Sequence, residues 1–530
     1  MKKPLSLLLA LLLVLVSVPI CTAAESETPV DTPLRVLVTS DTHWAKVDEV
    51  SPDGFYTPRA DLGQMTSLTH QIFARFMRDV ARSDADFVFI TGDLTDSWNG
   101  NSPLVFSRLL AKLEDTTGKQ IFVVPGNHDL HMNDDPDDHL RFRSIYSRFG
   151  WDEALAIDEA TSSYTADLKG DYRLLAINSN KADGGGLITD ELMAWIEAQV
   201  QQANRDGKHL IAMMHHQIMD HFTLEQRIDG FYMVDNAKEV CKKFAQWNIR
   251  VTFTGHLHIG DVAEYTGKNT IYDVTTYALS SYPLRYRDVT FTDDEIILKS
   301  REISKLDVRK AAAGYSDEQK AMIANDPVGY AYGCQEDSLI KQYVSNFIDA
   351  DYLADLLGLA PDSVGAKAIK RILPENILIP LYGEGETVES MAKALGYDLP
   401  ESDYETVADL ISEFWAAMVR GDENLGGSSP EGRLFLDAAY ALFATKAAKE
   451  SPAVRALLSA KLIALFGLKG VNNAFSRKFF DMVLTGLMID KGPADNNVTL
   501  VGYGVKTDSF RYKLNAFFRN TGEVLKKVFA

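Results

Sequence analysis

Five short segments hold residues able to do metal or acid–base chemistry: Asp41-Thr42-His43, Gly92-Asp93-Leu94-Thr95-Asp96, Gly126-Asn127-His128-Asp129, His215-His216 and Gly255-His256-Leu257-His258. A carboxylate and an imidazole two residues apart, as Asp41 and His43 are, can hold one cation. Glycine before Asp93 lets the backbone turn sharply. The Asp93 carboxylate then projects from the turn and can bridge two cations. The Asn127 amide oxygen suits a hard or borderline cation, the neighbouring His128 imidazole can donate a proton, and Asp129 is placed to orient that imidazole. His215 and His216 face opposite ways in an extended segment, so one of them reaches a given ion, whereas His256 and His258 share a face. The donors are oxygen and imidazole with no thiolate, a set that suits Mn, Fe, Zn, Ni or Co.

Each segment ends a short apolar run: Leu34–Thr39, Phe87–Thr91, Ile121–Val124, Leu210–Met214 and Arg250–Thr254. These runs, with a further one at Tyr172–Ile177, are rich in Val, Ile and Phe, the pattern of strands buried on both faces. Helix-like stretches such as Leu68–Arg82 and Asp190–Ala203 separate them, and Thr270–Tyr277 and Asp288–Glu302 read as closing strands. The alternation predicts an α/β layered domain. In open α/β sheets ligand sites lie at the carboxyl ends of strands, which is where the five segments fall.

The chain changes character near Lys305. None of its 11 histidines lies after His258. Apolar stripes at helical spacing run through Leu339–Ile348 and Val407–Met418. Ser402 with Glu405 reads as a capping box for the second, and Ser451-Pro452 as an N-cap followed by proline at the first helical position. Gly426-Gly427-Ser428-Ser429-Pro430 reads as a loop, and Val498–Val505 as a late strand. The expected organisation is an α/β domain over 31–304 and a mostly helical domain over 305–530.

Over 530 residues, 46% are hydrophobic and 24% charged, which excludes a largely disordered chain. A formal charge of −20 argues against a non-specific nucleic-acid binder, which needs a basic surface. Lys2 and Lys3, the apolar run Leu5–Val18 and small residues through Ala24 read as a signal peptide over 1–24. The expected product is secreted or extracytoplasmic, without a membrane span after cleavage. Cys241 and Cys334 allow one disulfide and no framework.

The ordered set Asp-x-His, Gly-Asp, Gly-Asn-His-Asp, His, Gly-His-x-His resembles the calcineurin-like metallophosphoesterase superfamily over about residues 34–300. The resemblance implies an α/β/β/α sandwich and a dinuclear centre of divalent or trivalent ions. One ion would be held by Asp41, His43, Asp93 and His258. Asp93 would bridge to a second, held also by Asn127, His215 and His256. The family histidine is usually followed two residues later by proline; here that residue is Gln217, which keeps His216 open as the ligand in place of His215. The implied reaction is phosphoester hydrolysis by in-line attack of a metal-bridging hydroxide. His128 would act as general acid paired with Asp129, with Asp96 supporting the site. Ser97-Trp98 stand where protein Ser/Thr phosphatases carry arginine, and Asp96 where purple acid phosphatases carry a metal-binding tyrosine. The stretch Asn178–Trp195, with Gly184-Gly185-Gly186, is similar to that of bacterial phosphodiesterases of the cyclic-nucleotide type.

The expected activity is therefore hydrolysis of a small phosphorylated substrate, a phosphodiester by preference. The rivals are a phosphomonoesterase acting on nucleotides or envelope phosphates, and a cell-surface binding protein with a structural metal site. His131, His139, His209 and His221 read as loop or surface residues, although His139 and His221 could line a cleft. Asp134–Asp138 reads as a solvated loop, calcium binding being the alternative, and Arg285 is a candidate phosphate contact.

Overall fold

Strand residues here point alternately to two different cores, and that alternation sets the layers. In a computed structural model the described residues are 33–508 without 47–62, 97–99, 132–134, 223–224, 229, 310–314, 349, 373, 422–428 and 489–491. The leader-like segment 1–24, Ser97, Trp98, Asp134 and residues 426–428 of the expected loop lie outside the described residues. So do the side chains of the Leu339–Ile348 stripe, although its backbone is part of a helix, Pro327–Ile348.

The strands are β1 (Leu34–Thr39), β2 (Phe87–Ile90), β3 (Gln120–Val123), β4 (Ala156–Ile157), β5 (Tyr164–Asp167), β6 (Tyr172–Ala176), β7 (His209–Met213), β8 (Val251–Thr254), β9 (Asp261–Thr266), β10 (Thr270–Thr275), β11 (Arg285–Phe291), β12 (Glu295–Glu302) and β13 (Asn497–Val501). They form two mixed sheets, ordered β13-β12-β11-β1-β2-β3 and β4-β5-β6-β7-β8-β10-β9. Within them β1, β2 and β3 run parallel, as do β6, β7, β8 and β10. On β6 and β7, Leu174, Ala176, Ile211 and Met213 face the other sheet. Their neighbours Leu175, Leu210 and Ala212 face the helices Asp190–Arg205 and Ala237–Trp247. Between the sheets Phe253 lies 6.3 Å from Phe89 and 6.4 Å from Phe291, ring to ring. Helices Thr69–Arg82 and Ser102–Thr117 cover the first sheet's outer face, where Phe76 meets Tyr286. The order of layers is α/β/β/α, as expected.

Several local expectations need correction. Asp288–Glu302 is not one strand but part of the β11–β12 hairpin, turned where Thr292 Oγ1 accepts the Glu295 N–H. The helix Val407–Arg420 is capped by Thr406 with Asp409, not by Ser402 with Glu405. Cys241 and Cys334 are free thiols, both buried. His139 and His221 are buried, not on the surface: His139 Nδ1 meets Ser162 Oγ at 2.8 Å. Asp138 is likewise buried, with Arg141 and the His131 N–H as partners, while Asp135 and Asp137 are exposed. The Ser451 cap is present as read, its side chain accepting from Val454 N.

After residue 305 the described chain is mostly helical, with β13 its one extended strand, and among the described residues no helix is long and apolar enough to cross a membrane. β13 pairs with β12 at the edge of the first sheet. Two residues later Tyr503 reaches the second sheet: its hydroxyl donates to Leu210 O at 2.5 Å and its ring stacks on His209 at 4.8 Å. One short segment thus touches both sheets, pairing with the edge strand β12 of the first and reaching the central strand β7 of the second. Tyr503→Ala is expected to lower stability by about 3–5 kcal/mol, as truncation of a buried aromatic does, and Tyr503→Phe by about 1 kcal/mol, the worth of its hydrogen bonds. Urea unfolding of the three chains checks both values.

Candidate metal centre

The five segments lie just beyond the carboxyl ends of β1, β2, β3, β7 and β8. Their backbones hold one another: Asp41 N–H donates to Gly92 O, His43 N–H to Asp93 O and Gly255 N–H to His215 O. The turns are unusual. Asp41 (φ 48°), His43 (39°), Asp93 (49°), His256 (67°) and His258 (62°) are all left-handed, a conformation that non-glycine residues rarely adopt. Such strain persists only where the surroundings over-determine it, and it gathers at functional sites. Gly92, at φ +104°, lies so close to the His215 imidazole that a Cβ there would collide with it, and a Cβ on Gly126 would run into Asp93.

These turns bring two groups together around Asp93. Asp41, His43, Asp93 and His258 form one group, and Asp93, His215 and His256 the other, each with donor atoms within 4.8 Å of one another. His258 Nε2 is 3.1 Å from Asp41 Oδ1 and 3.3 Å from His43 Nε2. Asp93 Oδ2 is 3.4 Å from His215 Nε2 and 3.7 Å from His43 Nε2. Asn127 Oδ1 joins the second group at 3.1 Å from His215 Nε2. His215 Nδ1 is held by Thr91 O at 2.9 Å, which turns Nε2 towards the cluster in the manner of second-sphere partners of metal ligands. His216 points elsewhere, to Ser179 Oγ at 2.9 Å and Gly184 O at 3.2 Å.

The electrostatics fit a cation. Asp41 and Asp93 are completely buried, and among the described residues no lysine or arginine pairs with either. Burial would push the Asp93 carboxyl up, but His215, His128 and His43 outweigh it and hold it well below the ordinary range. His256 Nε2 is buried without a hydrogen-bond partner among the described residues, and an unsatisfied polar atom in the interior is costly. Burial, together with the neighbouring His216 and His215, keeps the His256 imidazole neutral, its pKa well below the usual value. Neutral imidazoles and ionised carboxylates are the forms that ligate metal.

His128 lies at the edge of the cluster, its ring 4.9 Å from His43. Its backbone N–H donates to Asp93 Oδ1 at 2.8 Å, and its Nδ1 faces Asp96 O at 3.4 Å. The Asp96 carboxylate lies 3.8 Å from His43 Nδ1. Asp129 does not pair with the His128 ring as expected. Its carboxylate is drawn inward by the backbone N–H groups of Gly126 (3.0 Å), Leu94 (3.0 Å) and Thr95 (3.1 Å), and so joins two of the turns. Burial, then the charge of Asp93, pushes its pKa up to about 7.

Arg285 is not at the cluster; its guanidinium meets Glu302, Asn496 and Arg420 O. Two features escaped sequence reasoning. His221 is clasped by Asp261 at 2.6 Å and lies 3.6 Å from Asp273. Burial favours its neutral form, yet the two carboxylates outweigh burial and raise its pKa well above the usual value. Gln217 donates to Gly255 O at 2.7 Å, tying the His215 loop to the His256 loop. A lone histidine and a lone glutamine carry no pattern that would have revealed either role.

The calcineurin-like phosphoesterase family model matches residues 34–260. A probable cyclic nucleotide phosphodiesterase of Coxiella burnetii is 26% identical over 175 residues, 33% of this chain and 60% of the relative. Another from Synechococcus sp. is 24% identical over 200 residues, 35% of this chain and 64% of the relative. The chain thus spans less than two thirds of the length of either. Among solved structures, a dimetal phosphatase from Danio rerio aligns at 13% identity and a TM-score of 0.39, covering 51% of this chain and 97% of that one. A purple acid phosphatase of yellow lupin aligns at 14% identity and a TM-score of 0.38, covering 51% and 52%.

Full-length protein is expected to bind two Mn²⁺ per chain, measured by elemental analysis after gel filtration. Asp93→Asn removes the carboxylate common to both groups and is expected to leave fewer than one ion bound, whereas Asn127→Ala retains at least one. Saturating Mn²⁺ at about 100 times Kd is expected to add about 2.7 kcal/mol to stability for each ion bound, read as a rise in Tm that Asp93→Asn abolishes.

Proposed function

We propose that this chain, which belongs through residues 34–260 to the calcineurin-like phosphoesterase family, is a metal-dependent phosphoesterase that prefers small phosphodiesters. The observation that carries the reading is the placing of the Asp93 carboxylate between two groups of histidines, with His128 at their edge. The two relatives named as probable cyclic nucleotide phosphodiesterases support the diester preference.

Asp41, His43, Asp93 and His258 would hold one ion, and Asp93, Asn127, His215 and His256 the other. When bound, a pair of ions supplies Lewis-acid polarisation of the phosphoryl oxygens and a water nucleophile active at neutral pH. The chain's own residues do the rest. Thr91 O fixes the ring of His215. Asp129 joins the turns bearing Asp93 and Asn127, so these ligands move as one unit. With Nδ1 directed at Asp96 O, His128 has Nε2 left to deliver a proton to the departing alkoxide. A positioned general acid contributes about 10²–10⁴ in rate. The leader-like residues 1–24 support action outside the cytoplasm.

The test is a leaving-group comparison with Mn²⁺ supplied. His128→Ala is expected to lower kcat by about 10²–10⁴-fold on a diester with an alkoxide leaving group, such as 3′,5′-cyclic AMP. On bis-p-nitrophenyl phosphate, whose phenolate leaves without help, the loss is expected to be under about tenfold. Equal losses on both substrates would sink the general-acid role. A wild-type kcat/KM higher on p-nitrophenyl phosphate than on the diester would favour the monoesterase reading.

A further inference from the structure

Beside the metal centre stands an aromatic side chain that the mechanism leaves unused. Phe231 is the one exposed phenylalanine among the described residues, at 51%. Its ring lies 5.7 Å from that of His256, and the ring of Tyr232 lies 4.9 Å from the same imidazole. Phe231 also closes on Asn127 across a glycine. A Cβ on Gly184 would sit 3.6 Å from Phe231 Cζ and 3.9 Å from Asn127 Nδ2. With no side chain at Gly184, a narrow space stays open between the phenyl ring and the amide. One wall of that space belongs to the metal centre and the other is a bare aromatic ring.

The backbone under this ring is fixed on two sides. Gln217 N–H donates to Tyr232 O, and Val234 N–H donates to Gln217 O at 2.9 Å, so the turn is joined to the loop that carries His215. Asp235 N–H donates to Gly186 O at 2.8 Å, and Lys181 meets the Asp235 carboxylate at 2.8 Å, which joins it to the glycine-rich loop. A fixed backbone carrying an exposed ring is pre-organised to receive a flat partner, since little order remains to be imposed on binding.

We propose that Phe231 is a specificity-determining residue of the phosphodiesterase site, the platform on which a planar ring of the substrate, a nucleobase, stacks while the phosphate occupies the metal centre. The inference rests on the phosphodiesterase reading and adds to it the part of the molecule that recognises the non-phosphate half of the substrate. Every base offers a π face, so the platform selects nucleotides over aliphatic phosphodiesters without selecting one base strongly.

The test uses the full chain loaded with Mn²⁺ and two product-like probes, adenosine 5′-monophosphate and ribose 5-phosphate, which differ by the base alone. Calorimetric titration is expected to give the nucleotide an affinity about 10- to 100-fold higher, the range of base stacking on an aromatic ring. Phe231→Ala is expected to bring the ratio within about threefold, Phe231→Leu to do nearly the same, and Phe231→Trp to keep it. Because the side chain is exposed, Tm is expected to stay unchanged in all three variants. An unchanged ratio in Phe231→Ala, or no nucleotide preference in the wild type, overturns the proposal. If neither probe binds but bis-p-nitrophenyl phosphate is hydrolysed, the stacking proposal alone falls. If no diester is hydrolysed either, the phosphodiesterase reading falls with it.

Discussion

Asp41 and Asp93 sit in the interior with four histidines around them, and among the described residues no arginine or lysine pairs with either carboxylate. A buried carboxylate costs several kcal/mol unless charge or hydrogen bonds offset it. The surrounding chain supplies part of the offset with backbone N–H groups: His256 donates to Asp41, and His128 to Asp93. Each donor comes from a different loop than its acceptor, so no loop can reach its conformation alone. Left-handed backbone at five of the chemistry-bearing positions, and glycine where loops nearly touch, are the local consequences. The proposed pair of metal ions would meet the remaining demand for positive charge.

The loop that carries His256 and His258 follows a strand of one sheet and the two loops that carry Asp41 and Asp93 follow strands of the other, so the sandwich must be held in register. The segment beyond residue 305 contributes directly. Gly260 N–H, two residues after His258, donates to Val419 O at 3.1 Å at the end of the helix Val407–Arg420. Val262 N–H donates to Asp495, and the buried Arg287 bonds the Asp495 carbonyl and Thr275 O. The helical segment is therefore coupled to the loop bearing two of the candidate ligands, through the backbone pair of Gly260 and Val419 and through the side chains of Asp495 and Arg287.

The sequence made the inner strands and the five loops legible because both obey strong local rules: apolar runs buried on two faces, followed by glycine and polar residues at strand ends. β1 over Leu34–Thr39 matches its apolar run residue for residue. Elements whose reason lies elsewhere in the chain stayed hidden. β4 and β5 are short and partly polar, and they exist because β6 offers an edge. The helix start at Val407 depends on Thr406 outcompeting Ser402, a difference of four residues that composition does not encode. Asp129 was misread for a similar reason. Its sequence neighbour is His128, but two of the three N–H groups that capture it, those of Leu94 and Thr95, lie more than thirty residues away. His221 and His139 looked superficial because their partners, Asp261 and Ser162, are remote in sequence.

The interior of this site and its rim differ in what they allow. Inside, each imidazole or carboxylate is committed twice, to the cluster and to a hydrogen bond or backbone turn that keeps a loop folded. A change there alters both the chemistry and the stability of the loop, as buried polar networks generally do. At the rim, in residues 181–186 and 230–232, the backbone is fastened but side chains such as Phe231 are not. Selection of substrate can therefore vary at the rim while the metal cradle stays constant. That separation follows from where the hydrogen bonds fall: the buried carboxylates fasten the loops around them, and side chains at the rim such as Phe231 carry no such task.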